Sequence, residues 1–264
     1  MIRNGILDSS RSKVISGGGD FVVATGGTIT YDGNFKIHTF TTNGSFVVTK
    51  GGDVSVLIVG GGQAGHANFP GTYNFSGGGG GGDVKEYNLT VEVLTYNASI
   101  GAGGTCAASN GAIGGSGGTS AFHNLSAQGG NGSNCAGDMR CGGNSPNGGY
   151  GGGWATHGGG GGGGNGGNGY YGGSTPTSGT MSQGGVGKLS TITGEYYGGG
   201  GGGGALDHTP AGGEGGGGNG MRWGYGPGAG TANTGGGGGG IAWSDLIPGA
   251  SGGSGVVVIK YQYQ

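Results

Sequence analysis

Charge is scarce in this chain. Ten basic and 12 acidic residues are spread over 264, for a net charge of −2. No basic run or patch is present, so binding of nucleic acid through its phosphates is not expected. Only 6 prolines and 3 cysteines occur. Cys106, Cys135 and Cys141 are too few and too irregular for a disulfide framework and read as free thiols, with a Cys135–Cys141 bond left open. No apolar run reaches the roughly 18 residues of a membrane span. The N-terminal stretch "MIRNGILDSSRSKVISGGG" lacks a continuous apolar segment, so no secretory signal peptide is expected. Nothing reads as a helix.

What the chain does have is glycine, 85 residues of it, against a usual share of roughly 7%. The glycines come in blocks, at 60–62, 77–82, 151–153, 158–164, 198–204 and 235–240. Collagen needs glycine at every third position and abundant proline, so it is excluded. A flexible linker is the other composition-based alternative. Against it, 31% of the residues are apolar and aromatics stand between the blocks.

Three stretches read as β-structure: 20–60, 84–101 and 255–263. "YDGNF" at 31–35 is a turn signal, and Asn43-Gly44 is a hairpin signal between "KIHTFTT" and "SFVVT". In "NFKIHTF", Phe35 and Ile37 face one way and Lys36, His38 and Phe40 the other, with His38 read as a surface residue. "VSVLIVG" is the apolar run of a central strand, and 84–101 reads as a strand pair bending near Thr95–Asn97. Each stretch alone is too short to bury a core. The expectation is therefore an all-β fold: one small β-sandwich built from both chain ends (20–62, 84–101 and 255–264), with a large glycine-rich insertion at 63–83 and 102–254. Residues 1–19 are expected to serve as an N-terminal attachment arm.

The insertion must leave the sandwich and return to it. A run of seven glycines in polyproline-II conformation spans about 22 Å and has no internal hydrogen bonds. Its buried N–H and C=O groups need partners. Neighbouring glycine helices can supply them if no side chain separates the backbones. The blocks are thus expected to form a polyglycine-II helix bundle. If each block crosses once, the inserts 63–76, 105–112, 133–141, 168–180, 205–210 and 241–250 fall at the far end. Inserts 154–157, 187–197 and 221–233 fall beside the sandwich, where Trp154, Trp223 and Tyr225 would pack.

Motif tests return no chemistry. "GGVGKLS" has Ser182 where a phosphate loop needs glycine and Leu189 where it needs Ser or Thr. G-x-G-x-x-G matches are trivial at this glycine content, and "GGSGG" and "GASGG" do not sit in a strand-to-helix elbow. The five histidines share no metal-ligand spacing with the cysteines. No catalytic residue, metal site or cofactor is expected, and the chain does not read as an enzyme. The far-end inserts instead hold aromatics and polar groups suited to recognition on a rigid scaffold. The candidate contacts are His66, Phe69, Tyr73, Phe75, Tyr170, Tyr171, Asp207, His208, Trp243 and Asp245.

Glycine blocks alternating with short aromatic inserts over 60–254 resemble the receptor-binding tip adhesins of T-even-like phage tail fibres. The frame "ATGGTITYDGNFKIHTF", "SVLIVGGG", "ASIGAGG", "TANTGGGGGG" and "GGSGVVVIKY" is similar to glycine-rich domains of phage structural proteins. That likeness implies a virion protein, made in the host cytoplasm and carried on a tail fibre, tail or capsid surface. It implies contact with other virion proteins through the N-terminal arm and with a host polysaccharide or outer-membrane protein. Self-association into a homo-oligomer is compatible with it. The expected arrangement departs from the tip adhesins in building its sandwich from both ends and in a short N-terminal stretch that does not resemble a fibre-docking domain. A structural decoration or fibre protein is the alternative, and an ice-binding protein the third.

Overall fold

The computed structural model describes residues 21–67, 75–106, 112–132, 140–147, 149–153, 158–172, 181–222, 225–242 and 247–264. Among them are twelve strands and no helix: β1 (Val23–Thr25), β2 (Thr28–Asp32), β3 (Phe35–Phe40), β4 (Gly44–Lys50), β5 (Gly52–Val59), β6 (Val84–Val91), β7 (Thr95–Ser99), β8 (Ser120–Phe122), β9 (Leu125–Ala127), β10 (Lys188–Leu189), β11 (Tyr196–Tyr197) and β12 (Val256–Gln262). The chain is all-β. Two five-stranded antiparallel sheets, β1-β4-β7-β8-β9 and β2-β3-β12-β5-β6, face each other across one core. The C-terminal strand β12 sits in the middle of its sheet, with Val258 opposite Thr39 on one side and Leu57 on the other. The two ends of the described chain therefore contribute to the same sheet.

The core is aromatic at its centre. Phe46, Phe122, Tyr96 and Tyr261 form edge and stacked contacts. His38 lies among them, fully buried, and not at the surface as its alternation suggested. Both ring nitrogens are occupied: Nδ1 lies 2.6 Å from the Gly26 carbonyl and Nε2 lies 2.9 Å from the Tyr261 hydroxyl. Nδ1 must donate to the carbonyl, so Nε2 accepts from the phenol. A neutral imidazole that completes a hydrogen-bonded chain is tolerated where a charged one is not. Burial accordingly lowers its pKa and pushes that of Tyr261 up to about 12.

Turn chemistry explains two departures from the expected pairing. "YDGNF" does make the β2–β3 hairpin, with Asp32 opposite Phe35 and Gly33 at φ 54°. Asn43-Gly44 does not make one: β3 and β4 belong to opposite sheets. Asn43 instead accepts the Ile100 N–H at 2.8 Å, at the end of β7. Gly44 lets the chain cross tightly over the Phe40 ring, which a Cβ there would meet at 3.0 Å. In the same way β6 and β7 part company after Val91 and join different sheets.

The glycine segments have little strand, yet their backbones are extensively paired. Along 76–82 the partner recurs every third residue: the N–H groups of Ser76, Gly79 and Gly82 donate to Ile241, Gly238 and Gly235. Those of Gly78 and Gly81 donate to Gly160 and Gly163. Along 198–204, Gly199 and Gly202 reach Gly215 and Gly218, Gly200 and Gly203 reach Gly185 and Ser182, and Gly201 and Gly204 reach Gly79 and Ser76. Successive residues of each segment thus bond different neighbours in rotation. The neighbours are so close that a methyl on Gly201 would run into the Gly238 carbonyl.

Pairing also fixes which turns share an end. Ser76, Gly204, Gly159 and Ile241 are joined by backbone bonds, as are Ala205 and Met221. The segments flanking 154–157, and Met221 with Arg222, therefore reach the far end and not the sandwich. Tyr225 is exposed, under the Arg222 guanidinium at 5.2 Å, and is not packed between bundle and sandwich. Trp154 and Trp223 lie outside the described residues. The passes also outnumber the glycine blocks. Extra turns at 145–147, 165–167 and 214–216 lie at the sandwich end, where Asn147 and Asn165 both donate to the buried carboxylate of Asp83 and Gly199 bonds Gly215. Sequence does not reveal these turns because polar residues, not strands, mark them. The 190–193 loop is tied down separately. Its Ser190 and Thr191 hydroxyls and its Thr191 and Ile192 N–H groups all reach Glu86 on β6. Burial would raise the Glu86 pKa, but these four donors outweigh it and leave it lowered.

Replacing Gly201 by Ala is expected to destabilise the protein by about 3 kcal/mol, the upper range for overpacking. Gly226 is the control: an added Cβ there would meet no atom of the described residues within 4 Å and its φ is not positive, so its Ala variant should melt like the wild type. Equal melting temperatures for the two variants, by calorimetry, would contradict the close packing.

Candidate functional site

Two of the residues expected at a recognition surface are interior. Phe75 lies in a separate small core with Met221, Ile241 and Ala242, against which Leu206 packs. It bridges to Ala242, so the inserts at 63–76, 205–210 and 241–250 do meet, but they meet around a buried cap. His66 is wholly buried as well. Its Nδ1 accepts the Gly114 N–H at 3.0 Å, which places the ring proton on Nε2, and Nε2 has no partner among the described residues. Burial lowers its pKa to about 4. Neither residue is accessible to a macromolecular partner. Both read as exposed in sequence because an aromatic or histidine in a polar insert gives no sign of what folds over it. Phe69, Tyr73, Trp243 and Asp245 lie outside the described residues.

Four other candidates come together. Tyr170 and Tyr171 are 53% and 72% exposed. The Tyr170 N–H donates to Gln183 O, and the Ser182 N–H donates to Tyr171 O, so the pair is fixed to the segment 181–183. On that segment the Met181 carbonyl receives His208 Nε2 at 3.2 Å, while His208 Nδ1 sits 3.1 Å from Asp207. Tyr150, absent from the sequence-based set, joins them at 65% exposure. Its carbonyl accepts the Gly169 N–H, and its N–H donates to Asn168 Oδ1 at 2.8 Å. Tyr150 follows a glycine pair in a segment that block counting does not separate. Its position gains meaning only from the pairing of segments 149–153 and 168–172.

Tyr150 and Tyr171 flank a cleft of about 320 Å³ whose floor is Gly151, Gly152 and Gly169 with Asn168 at its side. The Tyr171 ring lies over Gly153, where a Cβ would come within 2.8 Å of it. A larger depression of about 600 Å³ lies on the sandwich, between the end of β12 and the 190–193 loop. Several of its polar groups are already paired with one another, Ser55 with Asn88 and Thr90 with Asp53. Of the cysteines read as free thiols, Cys106 is free and exposed, whereas Cys141 is buried and disulfide-bonded; Cys135 is outside the described residues. No cluster of three or more metal-ligating side chains occurs among the described residues.

The fold and this surface define an all-β protein in which glycine-rich backbone positions exposed aromatic side chains. Residues 40–262 match the model of a glycine-rich domain, and the chain belongs to that family. No curated protein matches it.

Truncating Phe75 to Ala is expected to cost about 3 kcal/mol or more, as for other buried aromatics. Tyr171→Ala should leave the melting temperature unchanged, because the ring is exposed. Chemical denaturation of the two variants separates cap from surface. Histidine burial gives a pH dependence. Unfolded, His66 titrates near 6.5, and folded near 4. Between those values the unfolded chain binds the extra proton, so stability is full above about pH 6.5 and falls as pH drops. By pH 5 His66 alone should remove about 2 kcal/mol, and His38 acts in the same direction. A melting temperature that stays level from pH 7 to pH 5 would contradict the neutral burial of both rings.

Proposed function

We propose that this chain is a virion-associated receptor-binding adhesin, held on a tail fibre or tail tip, that binds a host cell surface without chemistry. The glycine segments act as a polyglycine-II bundle. The recurrence of hydrogen-bond partners at every third residue supports this, because polyproline-II-type chains have three residues per turn and no internal bonds. Such a bundle is stiff, since every segment is held from several sides at once. Its use is display.

The observation that carries the reading is the exposed set Tyr150, Tyr170 and Tyr171 on backbone that is hydrogen-bonded to its neighbours. Large exposed aromatics held on rigid supports give contact area at low entropic cost. The partner is a surface polysaccharide or an outer-membrane protein of the host, with Asp207 and His208 as polar contacts beside the tyrosines. Residues 1–19 form the attachment arm to the particle.

The test is adsorption. Purified protein should bind host cells and compete with the particle that carries it. Tyr171→Ala should weaken competition by about thirtyfold, the loss of one hot-spot contact of about 2 kcal/mol. Competition that is indifferent to Tyr150→Ala, Tyr170→Ala and Tyr171→Ala alike would reject the display reading in favour of a purely structural virion component.

A further inference from the structure

We infer that the cleft between Tyr150 and Tyr171 is a subsite for one ring of a neutral saccharide. This rests on the adhesin reading for its biological setting, and it commits that surface to one ligand class. Four features converge. First, the two rings stand on segments bonded side by side, Gly169 N–H to Tyr150 O and Gly172 N–H to Gly153 O. In that register Tyr150 is level with Gly169, so Tyr171 lies two residues further along, about 6 Å of extended chain. That offset leaves room for a ring to stack on at least one tyrosine face. Second, the floor is bare glycine, so a ligand can approach the backbone without meeting a side chain. Third, several hydrogen-bonding groups have no partner among the described residues. Asn168 uses Oδ1 on the Tyr150 N–H, which leaves its Nδ2 with no partner among the described residues. The Gly151 carbonyl and Tyr171 N–H likewise make no bond among the described residues. Donors and an acceptor beside an aromatic wall suit vicinal hydroxyl groups. Fourth, no charged side chain among the described residues lines the cleft. A phosphate or a carboxylate would find no counter-charge from them.

The size agrees. At about 320 Å³ the cleft is at the small end of ligand sites, too small to be a protein–protein footprint by itself. Backbone held from several sides also means that little is lost on binding, since the two tyrosines are positioned beforehand.

The experiment uses the full chain on an array of bacterial surface polysaccharides, neutral and anionic, alongside adsorption to whole host cells. The expected result is binding to neutral polysaccharides that Tyr150→Ala and Tyr171→Ala each weaken by about thirtyfold. Tyr171→Phe should retain binding, because the stacking face is kept. Asn168→Asp preserves the Oδ1 acceptor for the Tyr150 N–H but removes the amide donors, and should weaken binding without changing the melting temperature. Binding to no polysaccharide overturns the saccharide assignment. If cell adsorption is nonetheless lost in Tyr171→Ala, the adhesin reading stands and its receptor is a protein. Polysaccharide binding that none of the cleft variants affects overturns the cleft. Binding on the array without any adsorption to cells leaves the subsite in place and removes the adhesin role.

Discussion

Pairing of buried backbone groups is the constraint on which this structure depends. The glycine-rich region has neither helix nor long strand among its described residues, and many of its N–H and C=O groups are nevertheless enclosed. Each must find a partner, because an unpaired buried amide costs as much as several favourable contacts contribute. The partners lie on other segments, far away in sequence. Gly79 bonds Gly238, and Gly162 bonds Gly201. Such contacts form only when the backbones touch, and a Cβ at almost any of these positions would collide with a neighbouring carbonyl. Glycine is therefore required by close approach at most of these positions, and by a positive φ as well at a few, such as Gly215 and Gly216 in the 214–216 turn. Its larger entropy loss on folding is offset collectively.

The sandwich makes that collective state possible. It brings segments remote in sequence to common starting points. Gly60 follows β5, Gly82 precedes β6, and Gly255 precedes β12, so three glycine segments begin at adjacent strands. Asp83 and Glu86, at the sandwich end, then fix turns of the insertion through Asn165, Asn147, Ser190 and Thr191. At the far end the Phe75, Met221 and Ile241 cap closes the packing, where the described residues form no sheet. The glycine region is thus held between the sandwich and this cap, with the carboxylate clamps at the sandwich end. Side chains that leave this arrangement laterally, as Tyr150 and Tyr171 do, are free to be exposed while their backbone is held.

Much of this was legible in the amino-acid sequence. Alternation and apolar runs marked β2 to β6 and β12, and the need for 84–101 to meet 255–263 implied one β-sandwich built from both chain ends. Block glycine excluded collagen and pointed to backbone-on-backbone packing, because close approach of bare backbones is what absent side chains permit. Tyr170, Tyr171, Asp207 and His208 were named from the composition and expected placement of their inserts, and hydrogen bonds link them through the segment 181–183. The residues that composition cannot sort are those whose environment is made by distant chain. His38 alternates like a surface residue, yet Gly26 and Tyr261 enclose and satisfy it. Asn43-Gly44 is a hairpin signal by local preference, but the chain there changes sheets and Asn43 bonds Ile100 instead.

Sequence by itself determined the class: all-β, glycine-packed and poor in charge, since these follow from which backbone and side-chain groups exist to be paired. Tertiary structure decided the number of passes, the ends at which turns fall, and which aromatics face outward. Those depend on lateral neighbours, and a glycine run carries no side chains to record who its neighbours are. Phe75 and Tyr171 are alike as sequence, each an aromatic near glycine in an insert. One is capped by Ile241 and Met221, and the other stands over Gly153 in the open. The difference lies entirely in what the rest of the chain brings alongside.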